Sequence, residues 1–248
     1  MEIKKLMDYT GEFLQVERFR DYCPNGLQVE GRSEIRTIVS GVTASMALLE
    51  AAAHASADLI LVHHGYFWRN EDPRIIGMKR GRLKFLLEHD INLAAYHLPL
   101  DAHSQVGNNV QLGNVMGVSI EGMAGDPALI AYGRLAEPRS LASFSTHLHQ
   151  CLSRESIVIG EMDNPVARIA WCTGAAQSHF EQAIALGVDV FISGEISEQT
   201  VHQARESGVA YIAAGHHATE RYGIQALGRH LADKFDLQHF FIDIENPV

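Results

Sequence analysis

Four short stretches carry the side chains in this chain best suited to chemistry: "VHHG" at Val62–Gly65, "YHLPLD" at Tyr96–Asp101, "GE" at Gly194-Glu195 and "GHHATE" at Gly215–Glu220. Imidazole and carboxylate without thiolate form the donor set of Zn, Mn, Fe or Ni, and raw affinity does not decide among these metals. His216 and Glu220 are four residues apart, which on a helix opening near Gly215 puts both on one face. His97 and Asp101 have the same spacing, but Pro99 between them favours a turn. His63 and His64 are neighbours at the end of an aliphatic run. In a strand, adjacent side chains point to opposite sides, so such a pair serves one ion poorly and two ions lying side by side well. Asp101 or Glu220 could bridge ions about 3.5–4 Å apart, the separation of two-metal hydrolytic sites. His97 and Glu195 are titratable groups at the same strand ends and could move protons.

A lone histidine at a strand end is most often a satisfied polar residue, and the weight here comes from four such stretches at comparable positions. Of the other histidines, His54, His89, His103, His147, His149, His179, His202, His230 and His239 have no comparable spacing and read as surface or core residues. His217 lies one position off the ligand face, exposed or aimed at a substrate.

The elements that must position these groups repeat. "RTIVSGVTASMALLEAAAHASADLILVHHG" (36–65) and "RIAWCTGAAQSHFEQAIALGVDVFISGEIS" (168–197) share one order: apolar strand, small-residue turn, Ala-rich helix, an aspartate (Asp58, Asp189) and a second apolar strand. That is a βαβ unit used twice. Each copy continues with a helix and a further strand, Ile91–Tyr96 and Val209–Ala214. The chain therefore reads as α/β, with parallel-rich sheets covered by helices and ligands expected beyond the carboxyl ends of the strands. The Gly/Pro-punctuated stretch "GVSIEGMAGDPALIAYGRLAEP" divides it into two similar lobes, residues 1–124 and 125–248, with the C-terminal part packing back on the first. In "GVTAS", Thr43 or Ser45 is placed to cap a helix. "DYCPNGLQVEG" (21–31) has turn chemistry and could form a loop near the site.

Composition narrows the function. A net charge of −10 and a pI near 5.7 leave nucleic acid as a partner without electrostatic support. The cysteines Cys23, Cys151 and Cys172 form no CxxC and read as reduced thiols of a cytoplasmic protein. Neither a signal peptide nor a membrane-length apolar run is present. Arg69, Lys79, Arg80 and Arg82 form a basic cluster that could offset the charge of an anionic nucleotide, although a solvated helix face explains it equally well.

Taken in order, "NGLQVEG", "GVTAS", "VHHGYFW", "AYHLPLD", "GE" and "GHHATE" resemble the Nif-three-like family, also described as GTP cyclohydrolase type-two-like dinuclear metal proteins, in its short bacterial form. The resemblance covers nearly the whole chain. It implies two metal ions held by His63, His64, Asp101, His216 and Glu220, with His97 beside them as a further ligand or proton-transfer group. It also implies a site in the cleft between two similar lobes and a toroidal homohexamer. The expected activity is metal-dependent hydrolysis of a nucleotide or purine-like heterocycle. The alternative is a metal-binding or metal-delivery protein, or a ring that engages DNA or a protein partner, without turnover.

Overall fold

The aliphatic runs form strands in a computed structural model that describes residues 1–125 and 127–248; Asp126, in the stretch joining the expected lobes, lies outside them. Two compact units result, residues 1–107 with 224–245 and residues 108–223 with 246–248. Residues 108–124, assigned to the first lobe from the sequence, belong to the second unit, where Leu112, Met116 and Val118 enter its core.

The strands of the first 107 residues are β1 (Gly26–Val29), β2 (Thr37–Thr43), β3 (Leu59–His64) and β4 (Asn92–Ala95). The second unit contributes β5 (Ser119–Ala124), β6 (Ile130–Ser140), β7 (Ile157–Ile159), β8 (Pro165–Cys172), β9 (Val190–Ser193) and β10 (Ala210–Ala213). The last strand, β11 (Gln238–Phe241), returns to the first unit. The first sheet has the order β1-β4-β3-β2-β11 and the second β5-β6-β8-β9-β10-β7. In each, three consecutive strands run parallel, β2-β3-β4 and β8-β9-β10. A short antiparallel strand closes the same side of both, β1 on β4 and β7 on β10. The sheets differ at the other side, where β11 joins β2 parallel but β6 joins β8 antiparallel.

Continuous apolar strands are what a sheet buried on both faces requires. Ile60 and Val62 pack in one core cluster of the first unit, whereas Leu59 and Leu61 pack in another with Ile3, Leu6, Ile224 and Leu231. The strand-to-helix turn after β2 is capped as the sequence indicated, with Ser45 Oγ accepting from Leu48 N–H at 3.3 Å. The corresponding helix of the second unit is shorter, Phe180–Ala185 against Met46–His54, and follows a 3-10 turn at Gln177–His179.

The repeated aspartate proves to be a backbone latch. Asp58 Oδ2 accepts from the amides of Arg36 and Thr37 at 2.8 and 3.0 Å, and its amide donates to Thr37 O. Asp189 Oδ2 accepts from the amides of Ala167 and Arg168 at 2.8 and 2.7 Å, and its amide donates to Arg168 O. Each thus ties the start of a strand to the start of its parallel neighbour. Removing a charged acceptor leaves two part-buried amides without it, so Asp58→Ala and Asp189→Ala are each expected to cost about 2 kcal/mol. Urea unfolding of both variants measures this, and a loss under about 1 kcal/mol in either would contradict the latch.

Candidate metal centre

In the first unit, three imidazoles converge at the carboxyl ends of β3 and β4. His63 is fully buried, and its Nδ1 lies 2.9 Å from Tyr96 O. A carbonyl can only accept, so Nδ1 carries a proton and Nε2 is the ring nitrogen free of that bond to face Asp101. His64 places Nδ1 3.2 Å from Thr43 Oγ1, and His97 places Nδ1 2.7 Å from Asp21 Oδ1. The ligand atoms offered by these three histidines all lie within 4.8 Å of one another. Strand parity sends His63 to the face of Leu61 and His64 to that of Val62, yet at the strand's end their ring centroids are only 4.6 Å apart. Asp101 Oδ1 is 3.5 Å from His63 Nε2.

Asp101 stands on a short helix, Leu98–Ala102, where the sequence favoured a turn. Pro99 is compatible with it because it occupies the first helical turn, where a missing N–H removes no helical hydrogen bond. What holds this segment is a clamp from the 21–31 loop, whose individual roles the sequence left unassigned. Asp21 accepts from His97 Nδ1 and Tyr22 N–H through Oδ1, and from Leu98 N–H and Asn25 Nδ2 through Oδ2. Asn25 Oδ1 accepts from His97 N–H at 2.7 Å. Burial alone would raise the Asp21 carboxyl, but His97 and the other donors outweigh it and hold it below its ordinary value. The Trp68 ring meets His97 edge-on at 5.0 Å, a contact that the sequence did not single out.

Cys23 lies in a second donor group with Asp21 and His97. Burial, helped by Asp21, pushes its thiol up to about 12, so it stays protonated. Three of the four basic residues have local partners: Arg69 Nη2 donates to Asp21 O at 2.6 Å, Lys79 pairs with Glu71, and Arg82 lies over the Tyr66 ring.

In the second unit the helix His216–Phe235 follows β10 and carries His216 and Glu220 on one face, with Nε2 and Oε2 3.2 Å apart. Glu195, at the end of β9, places Oε1 2.7 Å from His216 Nδ1. Its position is therefore that of an orienting carboxylate behind an imidazole. Burial opposes the charge on His216, but Glu220 and Glu195 overcome it and raise the imidazole to about 9. Gly174 admits Glu220 to this corner, because a Cβ there would lie 2.2 Å from Oε1. His217 is buried, not exposed. Elsewhere, His103 and His230 both pack on the Phe13 ring, a structural use.

The donor chemistry fits a divalent ion. Imidazoles whose Nδ1 is engaged, leaving Nε2 to face an ion, and carboxylates beside them are the usual protein ligands of such metals, and an ion there would displace the proton that Glu220 and Glu195 favour on His216. The backbone room left by Gly174 adds to the fit.

Comparison with known proteins agrees with this architecture. The family model Duf34/NIF3 (NGG1p interacting factor 3) matches residues 1–247. A Pseudomonas aeruginosa protein named "GTP cyclohydrolase 1 type 2 homolog" is 55% identical over 249 residues, covering 99% of this chain and 98% of that one. The solved structure of protein ybgI, of unknown function, superposes with a TM-score of 0.96 at 47% identity, covering 100% of both chains. TTHA1606 from Thermus thermophilus gives a TM-score of 0.90 at 31% identity, also over 100% of both chains.

Proposed function

The chain belongs to the Duf34/NIF3 family, and from that premise we propose that it is a hydrolase dependent on two divalent ions, acting on a nucleotide or purine-like heterocycle. The name shared by relatives such as the Pseudomonas aeruginosa protein supports the substrate class. The observation that carries the reading is the group of His63, His64 and His97 ligand atoms within 4.8 Å of one another.

In this reading His63, His64, Asp101, His216 and Glu220 hold the ions, which are Zn, Fe, Mn or Ni. When bound, a pair of such ions polarises an electrophilic ring carbon or amide and lowers the pKa of water. The remaining work falls to the chain. His97, its Nδ1 fixed by Asp21, presents Nε2 to take up or return a proton. Glu195 keeps His216 in one orientation. Trp68 shields one edge of the imidazole group.

The deciding experiment is untargeted metabolite turnover by the metal-loaded protein against a His63→Ala control. Loss of a nucleotide-like metabolite with the wild type alone supports the hydrolase. Ready exchange of ions without turnover would favour metal delivery instead. Because outer carboxylates typically contribute 10–100-fold to metal affinity, Glu195→Ala is expected to weaken binding by about that factor with the fold intact. Competition with a chromophoric chelator measures this, and an unchanged affinity would remove Glu195 from the site.

The family resemblance also supports a cytoplasmic ring of six chains. No helix of the described residues is long and apolar enough to cross a membrane.

A further inference from the structure

Eleven large apolar side chains stand exposed among the described residues, and five of them lie between positions 67 and 87 of the first unit: Phe67, Ile75, Ile76, Met78 and Leu87. Scattered singly, such residues need no explanation, but a concentration of them marks a binding surface. Three of the five, Phe67, Ile75 and Leu87, line one cavity of about 520 Å³. That volume is within the range of about 300–1,000 Å³ that holds small organic ligands. The cavity reaches down to the core, since Val29 of β1 and Leu83 of the helix Gly77–His89 also line it and are buried in the cluster with Leu86.

The lining is held in place. Phe67 has φ +64°, a left-handed backbone that a bulky residue adopts only where its surroundings impose it. Gln28 accepts from Tyr66 N–H at 2.7 Å and donates to Pro24 O at 2.8 Å. A preformed cavity is the usual state of a small-molecule site.

Its charges do not cancel. Arg80, Lys84 and Glu88 are the charged residues of the lining. Lys84 Nζ pairs with Glu88 Oε1 at 3.2 Å, and neighbouring Lys79 pairs with Glu71. The Arg80 side chain makes no hydrogen bond or ion pair among the described residues. One guanidinium therefore stands without a counter-charge beside an apolar cavity, in a chain whose net charge is −10.

We propose that this cavity binds a small amphipathic monocarboxylate, with its aliphatic body between the helix and β1 and its carboxylate on Arg80. A guanidinium fork matches a carboxylate bidentately. One surplus positive charge calls for one negative charge, and Glu88 at the same cavity disfavours a dianionic head such as a phosphate monoester. The site shares no residue with the imidazole group, so it stands apart from the hydrolase reading. Phe67 directly precedes Trp68, and an occupant touching Phe67 therefore borders the loop that brings Trp68 to His97.

Calorimetric titration of the full chain with octanoate tests this, with acetate as the head alone and octanol as the body alone. Octanoate should bind at one site per chain, and acetate should not bind. Arg80→Gln should weaken octanoate about tenfold, and Arg80→Lys, which keeps the charge, should weaken it less. Leu87→Glu places a charge on the apolar wall at a position 64% exposed, so the fold tolerates it, and it should weaken octanoate at least as much. Absence of octanoate binding would overturn the proposal, as would equal affinity in the wild type, Arg80→Gln and Leu87→Glu. Octanol binding as tightly as octanoate would also overturn it, because the cation would then play no part. Light scattering on the same samples reads the competing occupant. A smaller assembly for Leu87→Glu, with no octanoate bound by the wild type, would give the surface to a second copy and refute the ligand site.

Discussion

Purified His63→Ala protein is expected to carry about one metal ion per chain where the wild type carries about two, the number in two-metal hydrolytic sites. His63 is the most constrained member of its group, fully buried with Nδ1 held by the Tyr96 carbonyl. Glu220→Ala should go further and leave less than about one ion, because a carboxylate has two oxygens and can serve both ions. His64→Ala and His216→Ala should resemble His63→Ala. Elemental analysis of the four variants, each checked by circular dichroism, reads the result. Equal metal content in all four and in the wild type would defeat the two-ion assignment. Loss of both ions from His63→Ala alone would mean that the two positions are strongly coupled.

Much of the positioning framework was legible in the chain, for a physical reason. A sheet buried on both faces demands unbroken aliphatic runs, so β2, β3, β4, β9 and β10 stand out, and the groups just past them inherit their placement. The paired Asp58 and Asp189 were visible as repeated residues, but not as latches, since their partners are backbone amides 21 and 22 positions away. The Asp21–Asn25 clamp was equally hidden, because its hydrogen bonds to His97 span more than 70 residues and no periodicity reports such a contact. The short edge strands β1 and β7 were missed because four- and three-residue segments carry too little pattern. The helix at Asp101 was obscured by reading Pro99 as a breaker, when its place in the first turn makes it harmless.

Gly174→Ala should cost the second unit both stability and metal. Gly174 sits at φ +69°, so a side chain there bears left-handed strain of about 1–2 kcal/mol before any contact is considered. The added Cβ would lie 2.2 Å from Glu220 Oε1 and 3.2 Å from His216 Nε2. The backbone cannot retreat easily. Gly174 O accepts from Gly194 N–H and Ser193 Oγ, and its N–H donates to Thr219 Oγ1. Glu220 must therefore move. Gly208→Ala is the matched control, since it has φ +73° but nothing within 4 Å of the added Cβ. Both variants should lose stability, but only Gly174→Ala should also lose metal. Thermal unfolding with metal analysis separates the two effects. Retention of full metal content by Gly174→Ala would mean that Glu220 is not a ligand.

The division of the chain also sets a timetable for folding. Residues 108–223 can pack the second unit's sheet and core as one continuous stretch, lacking only residues 246–248. The first unit cannot close so early, because Ile3 and Leu6 share their cluster with Ile224, Leu227 and Leu231, and β2 is paired by β11. During synthesis from the N-terminus, the helix Ile3–Phe13 therefore waits with an uncovered apolar face until residues 224–231 are made. The part of the chain translated second would finish first, and the opening segment would depend longest on chaperones.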